Sequence, residues 1–103
     1  MNDYEIRYSD QAEEDILSIH RFTYEISQSL DTANEIVESL ISYTDRLNFM
    51  PERFKKYESA NGPEGLRMYP VKSFVIFYRI NKNYKIVEIV RIFYAGQNYI
   101  DWM

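Results

Sequence analysis

Gly65–Val71 (GLRMYPV), Phe74–Ile80 (FVIFYRI) and Ile86–Tyr94 (IVEIVRIFY) are the three segments that decide the fold of this chain. All three are rich in aromatic and β-branched residues, a composition typical of β-strands. Each segment also carries one arginine among apolar neighbours, namely Arg67, Arg79 and Arg91. Because an arginine is costly to bury without a partner, the sheet either presents these guanidinium groups to an anionic ligand or pairs them internally.

The first half of the chain predicts one short strand followed by a helix. Residues 4–8 alternate polar and apolar side chains, as a half-buried strand does. Asp10 and Glu13 then have the spacing of a capping box at a helix start. Small or apolar residues recur every three or four positions beyond it, at Ala12, Ile16, Ile19, Thr23 and Ile26. This spacing places them on one face of a helix.

A second helix is predicted from Asp31 and Thr32, since Glu35 again completes a capping-box spacing. Its apolar stripe consists of Ala33, Val37, Leu40, Thr44 and Leu47. The helix should end at Met50, because a proline disfavours helical geometry in the residue before it. Two helices of similar length with a short link between them are typical of an antiparallel helical hairpin.

The order strand, helix, helix, strand, strand, strand predicts an α+β fold, in which an antiparallel sheet packs on an N-terminal two-helix hairpin. A chain of 103 residues has the size of one domain, here residues 1–103. In the segment 74–80 both alternating sets of side chains are apolar. Since helices can cover only one face of the sheet, Val75 and Phe77 are expected on a second, exposed face that docks a partner.

Charge is divided unevenly along the chain, whose net charge is −4. The first fifty residues carry eleven acidic and three basic side chains, a net charge of −8, whereas residues 51–103 carry a net charge of +4. The two halves therefore favour partners of different charge. The overall acidity argues against strong unaided binding to nucleic acid, which rests on a basic surface.

The composition also excludes several kinds of site. Without cysteine the chain has no disulfide and no thiolate zinc site, and its one histidine, His20, has no second histidine to join it. We therefore expect neither a metal nor a cofactor. The chain starts without the basic and apolar regions of a signal peptide, and no apolar run approaches the roughly 20 residues of a membrane-spanning helix. A cytoplasmic protein with no membrane partner is expected.

Several short motifs, taken in order, resemble the RelE/ParE superfamily of bacterial type II toxins along almost the whole chain. They are Tyr8-Ser9-x-x-Ala12-x-x-Asp15-Ile16-x-x-Ile19, Leu47-x-x-Met50-Pro51, Gly65-Leu66-Arg67-x-Tyr69-Pro70-Val71, Ile76-Phe77-Tyr78-Arg79 and Val90-Arg91-Ile92-Phe93-Tyr94. The third and fourth motifs look most like the ParE branch. The resemblance implies the same sheet and helical hairpin that the residue patterns predict independently.

The resemblance also implies a toxin that is neutralised by a cognate antitoxin, with which it forms a hetero-oligomer. ParE-like members of the superfamily are associated with inhibition of DNA gyrase, whereas RelE-like members cut mRNA in the ribosomal A site. A ParE-like inhibitor of gyrase without chemistry of its own is the leading interpretation. The alternatives are a ribosome-dependent mRNA endonuclease and a non-toxic relative that survives as an antitoxin partner.

The candidate site residues depend on which of these activities the chain has. If it is RelE-like, the resemblance makes Arg67 and Tyr94 the catalytic candidates, with Arg67 stabilising phosphate. Residues 95–98 (Ala-Gly-Gln-Asn) lack the arginine that many relatives have there, which favours the ParE-like interpretation. Further candidates for binding the target are Lys55, Lys56, Arg79 and Arg91. Structural roles in ion pairs are open for all three strand arginines.

Overall fold

The structure, a computed structural model, describes residues 3–56 and 65–96 of the chain. Its elements are β1 (Glu5–Tyr8), α1 (Asp10–Ser27), α2 (Leu30–Asp45), β2 (Arg67–Val71), β3 (Phe74–Asn81) and β4 (Ile86–Tyr94), with short 3-10 turns at Arg46–Asn48 and Pro51–Arg53. The α+β class and the predicted order of elements are confirmed. No helix in these two described ranges is both long and apolar enough to cross a membrane.

Both helices begin earlier than the residue pattern indicates, because serine side chains cap them. Ser9 accepts a hydrogen bond from the backbone N–H of Ala12 (3.0 Å), and Ser29 accepts one from that of Thr32 (3.1 Å). Serine is among the preferred N-cap residues, since its oxygen satisfies a donor that the helix leaves free. Gln28 joins the two helices in the left-handed conformation, with φ of 55°.

The second helix ends at Asp45, so the predicted end at Met50 is wrong by more than one turn. A 3-10 turn follows at residues 46–48 and places Leu47 in the core, fully buried. The apolar stripe therefore continues beyond the α-helix, which is why the pattern suggested a longer one. Met50 itself has a left-handed backbone, with φ of 49° and ψ of 58°.

The four strands form one mixed sheet in the order β1-β4-β3-β2. β2, β3 and β4 are antiparallel neighbours, as predicted. β1, however, pairs with β4 in parallel, in a register that joins Glu5 to Ile86 and Tyr8 to Ile89. The sheet is therefore not wholly antiparallel, because the helical hairpin and the loop after it carry the chain from β1 to the opposite edge of the sheet.

The main core lies between the helical hairpin and one face of the sheet. Its buried members are Tyr4, Ala12, Ile19, Leu40, Leu47, Tyr69, Phe74, Ile76, Tyr78, Val87, Ile89 and Ile92. Both predicted helical stripes contribute to this core, as their spacing requires. Ile26 is the exception: it lies in the last turn of α1 and is 68% exposed.

The apolar part of the opposite face, around Val75 and Phe77, is covered, so the prediction of an uncovered apolar face there is wrong. Val75 and Phe77 are buried (6% and 0% exposed) in a second cluster with Leu66 and Phe93. Met68 and Val90 pack against this cluster. Large exposed apolar side chains lie instead on the two helices and on the turn after them, at Leu17, Phe22, Tyr24, Ile26, Leu30, Ile41, Phe49 and Met50.

Tyr78 joins the core to the turn at Pro51. Its hydroxyl donates a hydrogen bond to the backbone carbonyl of Pro51 (2.6 Å) and is fully buried. Burial raises the pKa of Tyr78 to about 12, although the nearby charges of Arg67 and Arg53 act in the opposite direction. The folded protein therefore keeps the Tyr78 proton to a higher pH than the unfolded chain, whose tyrosines titrate near pH 10.

We expect Tyr78→Phe to lower the free energy of unfolding at pH 8 by about 1–2 kcal/mol, because the Pro51 carbonyl loses its donor. Between about pH 10 and 12 the folded protein binds more protons at Tyr78 than the unfolded chain, so wild type loses stability there. The difference in free energy of unfolding between wild type and variant should therefore become smaller as the pH rises from 10 to about 12. Urea unfolding at pH 8 and pH 11 measures it, with exposed Tyr84→Phe as control. A gap that stays constant would contradict the account.

Candidate functional site

Arg67 is the first residue of β2, and its side chain fastens the preceding loop to the sheet. Its guanidinium Nη1 donates hydrogen bonds to the carbonyl oxygens of Phe54 (2.8 Å) and Glu52 (3.3 Å). The backbone N–H of Met68 donates to the carbonyl of Lys55 (3.1 Å), which attaches the same loop. Arg67 thus uses main-chain oxygens as partners, and this bonding gives the side chain a structural role.

The loop between α2 and β2 also brings two of the predicted target-binding residues to Arg67. Lys56 pairs with Arg67 through an isolated β-bridge, and Lys55 precedes it. Both lysines are exposed, while Arg67 is half-buried. The structure therefore places Lys55, Lys56 and Arg67 together at one end of β2.

Two further cations of this loop, Arg46 and Arg53, were not indicated by any residue pattern. Arg53 donates from Nη2 to the carbonyl oxygen of Arg46 (2.8 Å) and from Nε to that of Met50 (3.2 Å). With Glu52 as the only acid in residues 46–56, this segment carries a net charge of +3. All four cations lie within eleven residues, so a count of charge along this segment would have found the grouping.

Tyr94 lies near the end of β4 and packs against α1. Its hydroxyl is within hydrogen-bond distance of the Thr23 hydroxyl (3.2 Å). Its ring contacts Phe22 edge-on (centroids 5.6 Å apart) and Phe74 at a tilt (5.1 Å). The side chain is therefore part of the contact between the first helix and the sheet.

The register of the sheet separates Arg67 from Tyr94. Arg67 pairs with Tyr78 on β3, whereas Tyr94 pairs with Phe74 on the other side of the same strand. Four residues along a strand span about 13 Å, and two strand spacings add about 10 Å across the sheet. The two Cα atoms are thus roughly 16 Å apart. The structure does not bring these two catalytic candidates together.

Arg79 forms an ion pair on the outer face of the sheet. It bonds Glu88, its cross-strand neighbour on β4, and both side chains are about half exposed. Beside this pair, a cleft of about 620 Å³ is lined by Arg7, Asn81 and Lys82. An exposed pair of this kind contributes little to stability, and it leaves Arg79 accessible to a partner.

Arg91 forms a shielded ion pair with Asp15 of α1. Nε of Arg91 donates to Oδ2 (2.8 Å) and Nη2 donates to Oδ1 (3.0 Å), while the backbone N–H of Ile92 also donates to Oδ2 (2.9 Å). The two side chains are only 17% and 10% exposed. The guanidinium also lies over the ring of Phe93, 4.5 Å from its centroid. This arrangement ties α1 to β4, beyond the point at which β1 ends.

An apolar groove lies along α1, bordered by β1 and Ile41 at one end and by Leu30 of α2 at the other. Two depressions of about 460 and 570 Å³ share Leu17 and make up this helical groove. Its lining consists of Arg7, Tyr8, Glu13, Ile16, Leu17, His20, Arg21, Tyr24, Leu30 and Ile41. Leu17, Leu30 and Ile41 are 57%, 57% and 43% exposed, which is unusual for large aliphatic side chains so close together.

Polar contacts fix both ends of the helical groove. The His20 ring bonds the side-chain oxygen of Asn34 across the two helices (2.9 Å). Tyr8 bonds the hydroxyl of Thr44 at the other end, and burial raises the pKa of Tyr8. In the described parts of the chain, no three His, Cys, Asp or Glu side chains are grouped so that they could hold a metal ion.

A helical hairpin on one face of a four-stranded sheet, with β1 added in parallel to the last strand, defines the RelE/ParE-like α+β fold. A family model described as "ParE toxin of type II toxin-antitoxin system, parDE" matches residues 6–99. The chain belongs to this family of ParE toxins. No curated protein sequence matches the chain significantly.

Solved structures with the same fold include toxins of both branches. The chromosomal ParDE system of Pseudomonas aeruginosa matches with a TM-score of 0.74 and 16% identity, over 93% of this chain and 100% of that chain. The RelBE2 toxin–antitoxin complex of Mycobacterium tuberculosis has a TM-score of 0.69 and 17% identity, with 89% and 98% covered. The archaeal RelE–RelB complex of Pyrococcus horikoshii has a TM-score of 0.56 and 18% identity, with 92% and 98% covered.

Proposed function

We propose that this protein is a single-domain cytoplasmic toxin that inhibits bacterial growth by binding DNA gyrase, without chemistry of its own. The proposal rests on one observation: the two residues that would be catalytic in a nuclease, Arg67 and Tyr94, are bonded and packed as structural residues of the fold. Arg67 holds two loop carbonyls, and Tyr94 packs between α1 and β3. Side chains engaged in this way suit a binding protein better than an acid–base enzyme.

The spacing of the same residues also weighs against cleavage of RNA. Cutting a phosphodiester without a metal needs a proton acceptor, a proton donor and cations around one phosphate. Arg67 and Tyr94 lie roughly 16 Å apart at their Cα atoms, and each side chain is bonded to a different part of the fold. His20, the only histidine of the chain, lies on α1 and bonds Asn34. A surface that recognises a target protein is the function that this arrangement supports best.

We further propose that an antitoxin occupies the helical groove and forms a hetero-oligomer with this chain. An amphipathic helix or strand in an apolar groove is a recurrent mode of peptide recognition. Residues 10–45, which form the hairpin, carry nine acidic side chains and one basic one, a net charge of −8. The partner segment should therefore combine apolar anchors such as leucine with flanking lysine or arginine.

Controlled expression in a bacterial host tests the proposed activity. Wild type should arrest growth with filamentation and a DNA damage response, while protein synthesis continues at first. Co-expression of the protein encoded by the neighbouring reading frame should restore growth. Early arrest of translation with cuts at fixed codon positions in mRNA, abolished by Arg67→Ala, would instead establish the RelE-like alternative. Unaffected growth despite expression of folded protein would exclude both activities.

A further inference from the structure

The turn that joins the two 3-10 turns, at Phe49 and Met50, exposes two large apolar side chains. Phe49 is 56% and Met50 is 55% exposed, although the neighbours Leu47 and Pro51 are buried. Neither side chain lines the helical groove. Exposed apolar side chains side by side on such a short turn are candidates for contact with another macromolecule.

The backbone of Met50 is left-handed, as it also is at Gln28, Lys72 and Lys85. Its φ of 49° lies in the left-handed region, which residues other than glycine seldom adopt. Such a conformation costs on the order of 1–3 kcal/mol and persists only where surrounding contacts impose it. A conformation held in this way gives the turn one defined shape.

Several side chains impose this conformation from outside the turn. Arg53 donates to the carbonyl of Met50 through both its backbone N–H (3.1 Å) and its Nε (3.2 Å). Buried Tyr78 donates to the carbonyl of Pro51 (2.6 Å). Arg67 holds the next carbonyls along the chain, at Glu52 and Phe54. The two exposed side chains are thus presented on a rigid support, which reduces the entropy lost when they bind.

Charge around the turn indicates the chemistry of the partner. The exposed cations Arg46, Arg53, Lys55 and Lys56 surround Phe49 and Met50 in the sequence, with Glu52 as the only acid among residues 46–56. The helical groove lies on a hairpin of net charge −8. The two surfaces therefore favour partners of opposite charge, and a basic antitoxin segment that fits the groove is a poor match for this turn.

We propose that Phe49 and Met50 are the apolar anchor by which this toxin binds its protein target, in an apolar pocket bordered by carboxylates. This inference rests on the proposed function, because it assigns the target-binding surface of a toxin that acts by binding. Arg46, Arg53, Lys55 and Lys56 contact the acidic border of the pocket. A hydrophobic anchor with arginine neighbours is the usual composition of the energetic centre of an interface.

The double variant Phe49→Ala/Met50→Gly tests the proposal without endangering the fold. Both side chains are exposed, and glycine relieves the strain at the left-handed position, so the free energy of unfolding should stay the same or rise. Growth arrest should require at least a tenfold higher cellular level of this variant than of wild type, with both levels measured. Its affinity for the antitoxin, measured by calorimetry, should stay within twofold of wild type. Tyr84→Ala, which removes a 75% exposed aromatic from the β3–β4 hairpin, should retain full toxicity.

A second variant, Lys55→Glu/Lys56→Glu, tests the charge of the partner and should weaken growth arrest to a similar extent. Full toxicity of the Phe49→Ala/Met50→Gly protein would overturn the proposal while leaving gyrase as the target. If the variant stays toxic but no longer binds the antitoxin, the turn is part of the antitoxin interface, and the proposal is also overturned. If a single-stranded RNA probe binds wild type but not a variant that lacks Phe49, the partner of the turn is not an acidic protein surface, and the proposal is overturned.

Growth arrest can be measured without assaying gyrase. The proposed target, gyrase, and the proposed anchor at Phe49 and Met50 can therefore be refuted separately. Wild type that arrests growth without inhibiting gyrase would refute the proposed target, and the variants would still decide whether the turn is the anchor. Wild type that does not arrest growth at all would overturn both, because the anchor is assigned to a toxin.

Discussion

Asp15→Ala is expected to lower the free energy of unfolding by about 3–5 kcal/mol, the usual cost of removing one member of a shielded ion pair. The Asp15 carboxylate accepts two hydrogen bonds from Arg91 and one from the backbone N–H of Ile92. Because alanine accepts none of them, three buried or half-buried donors lose their acceptor at once. Native domains are stable by only about 5–15 kcal/mol, so this loss removes a large share of the total and raises the unfolded fraction more than about a hundredfold.

Urea unfolding of purified wild type and variant at neutral pH measures this effect. Glu14→Ala is the matched control, since Glu14 is the exposed neighbour on the same helix and should change stability by less than about 0.5 kcal/mol. Asp15→Asn keeps an oxygen for the N–H of Ile92 but removes the charge, so its loss should lie between the two. A loss below 1 kcal/mol for Asp15→Ala would mean that the Arg91 pair does not hold α1 against β4.

Leu17→Glu is expected to weaken binding of the antitoxin by at least 100-fold. Leu17 is the residue shared by both depressions of the helical groove, and it is 57% exposed before any partner binds. A carboxylate at this position would have to lose its water on binding without a specific partner. The fold should tolerate the change, because the side chain is at the surface.

Calorimetry with the protein encoded by the neighbouring reading frame measures the affinity. Ile26→Glu is the matched control on α1: nine residues further along a helix, it points about 180° away from Leu17. Ile26 is 68% exposed and does not line the helical groove. Equal affinities for both variants and wild type would place the antitoxin elsewhere on the toxin. In cells, Leu17→Glu should resist rescue by the antitoxin, whereas Ile26→Glu should be rescued.

Much of the fold could be predicted from the sequence, because helices and strands follow from local periodicity. The stripe through Ala33, Leu40 and Thr44 depends only on spacing along the chain, and all three residues are buried. The capping serines were missed because an aspartate stands close after each of them and offers a competing cap. The parallel pairing of β1 with β4 was missed because strand order is a property of the whole chain.

For the three strand arginines, the sequence left open whether they bind an anionic ligand or form internal pairs. Arg91 and Asp15 are 76 residues apart, so nothing in the local sequence joins them. Asp15 does stand beside Ile16 and Ile19 on the buried side of α1, and a carboxylate there already calls for a partner. Arg67 is harder to predict, since its partners are backbone carbonyls that any residue could supply.

The location of exposed apolar surface was the largest error of the sequence prediction. Alternation along β3 correctly gave Val75 and Phe77 to the second face of the sheet, but could not say whether that face was covered. Exposure of Leu17 and Phe49 depends on how helices and turns pack, which no local pattern encodes. The large exposed apolar side chains therefore lie mainly on the helices and on the turn at Phe49.

The supercoiling activity of purified DNA gyrase in the presence of this protein tests the central claim most directly. Inhibition should rise with toxin concentration, and an equimolar amount of antitoxin should reverse it. Phe49→Ala/Met50→Gly should inhibit at least tenfold less well than wild type. Unchanged supercoiling at saturating toxin, together with codon-positioned cleavage of mRNA in a purified translation reaction, would contradict the account.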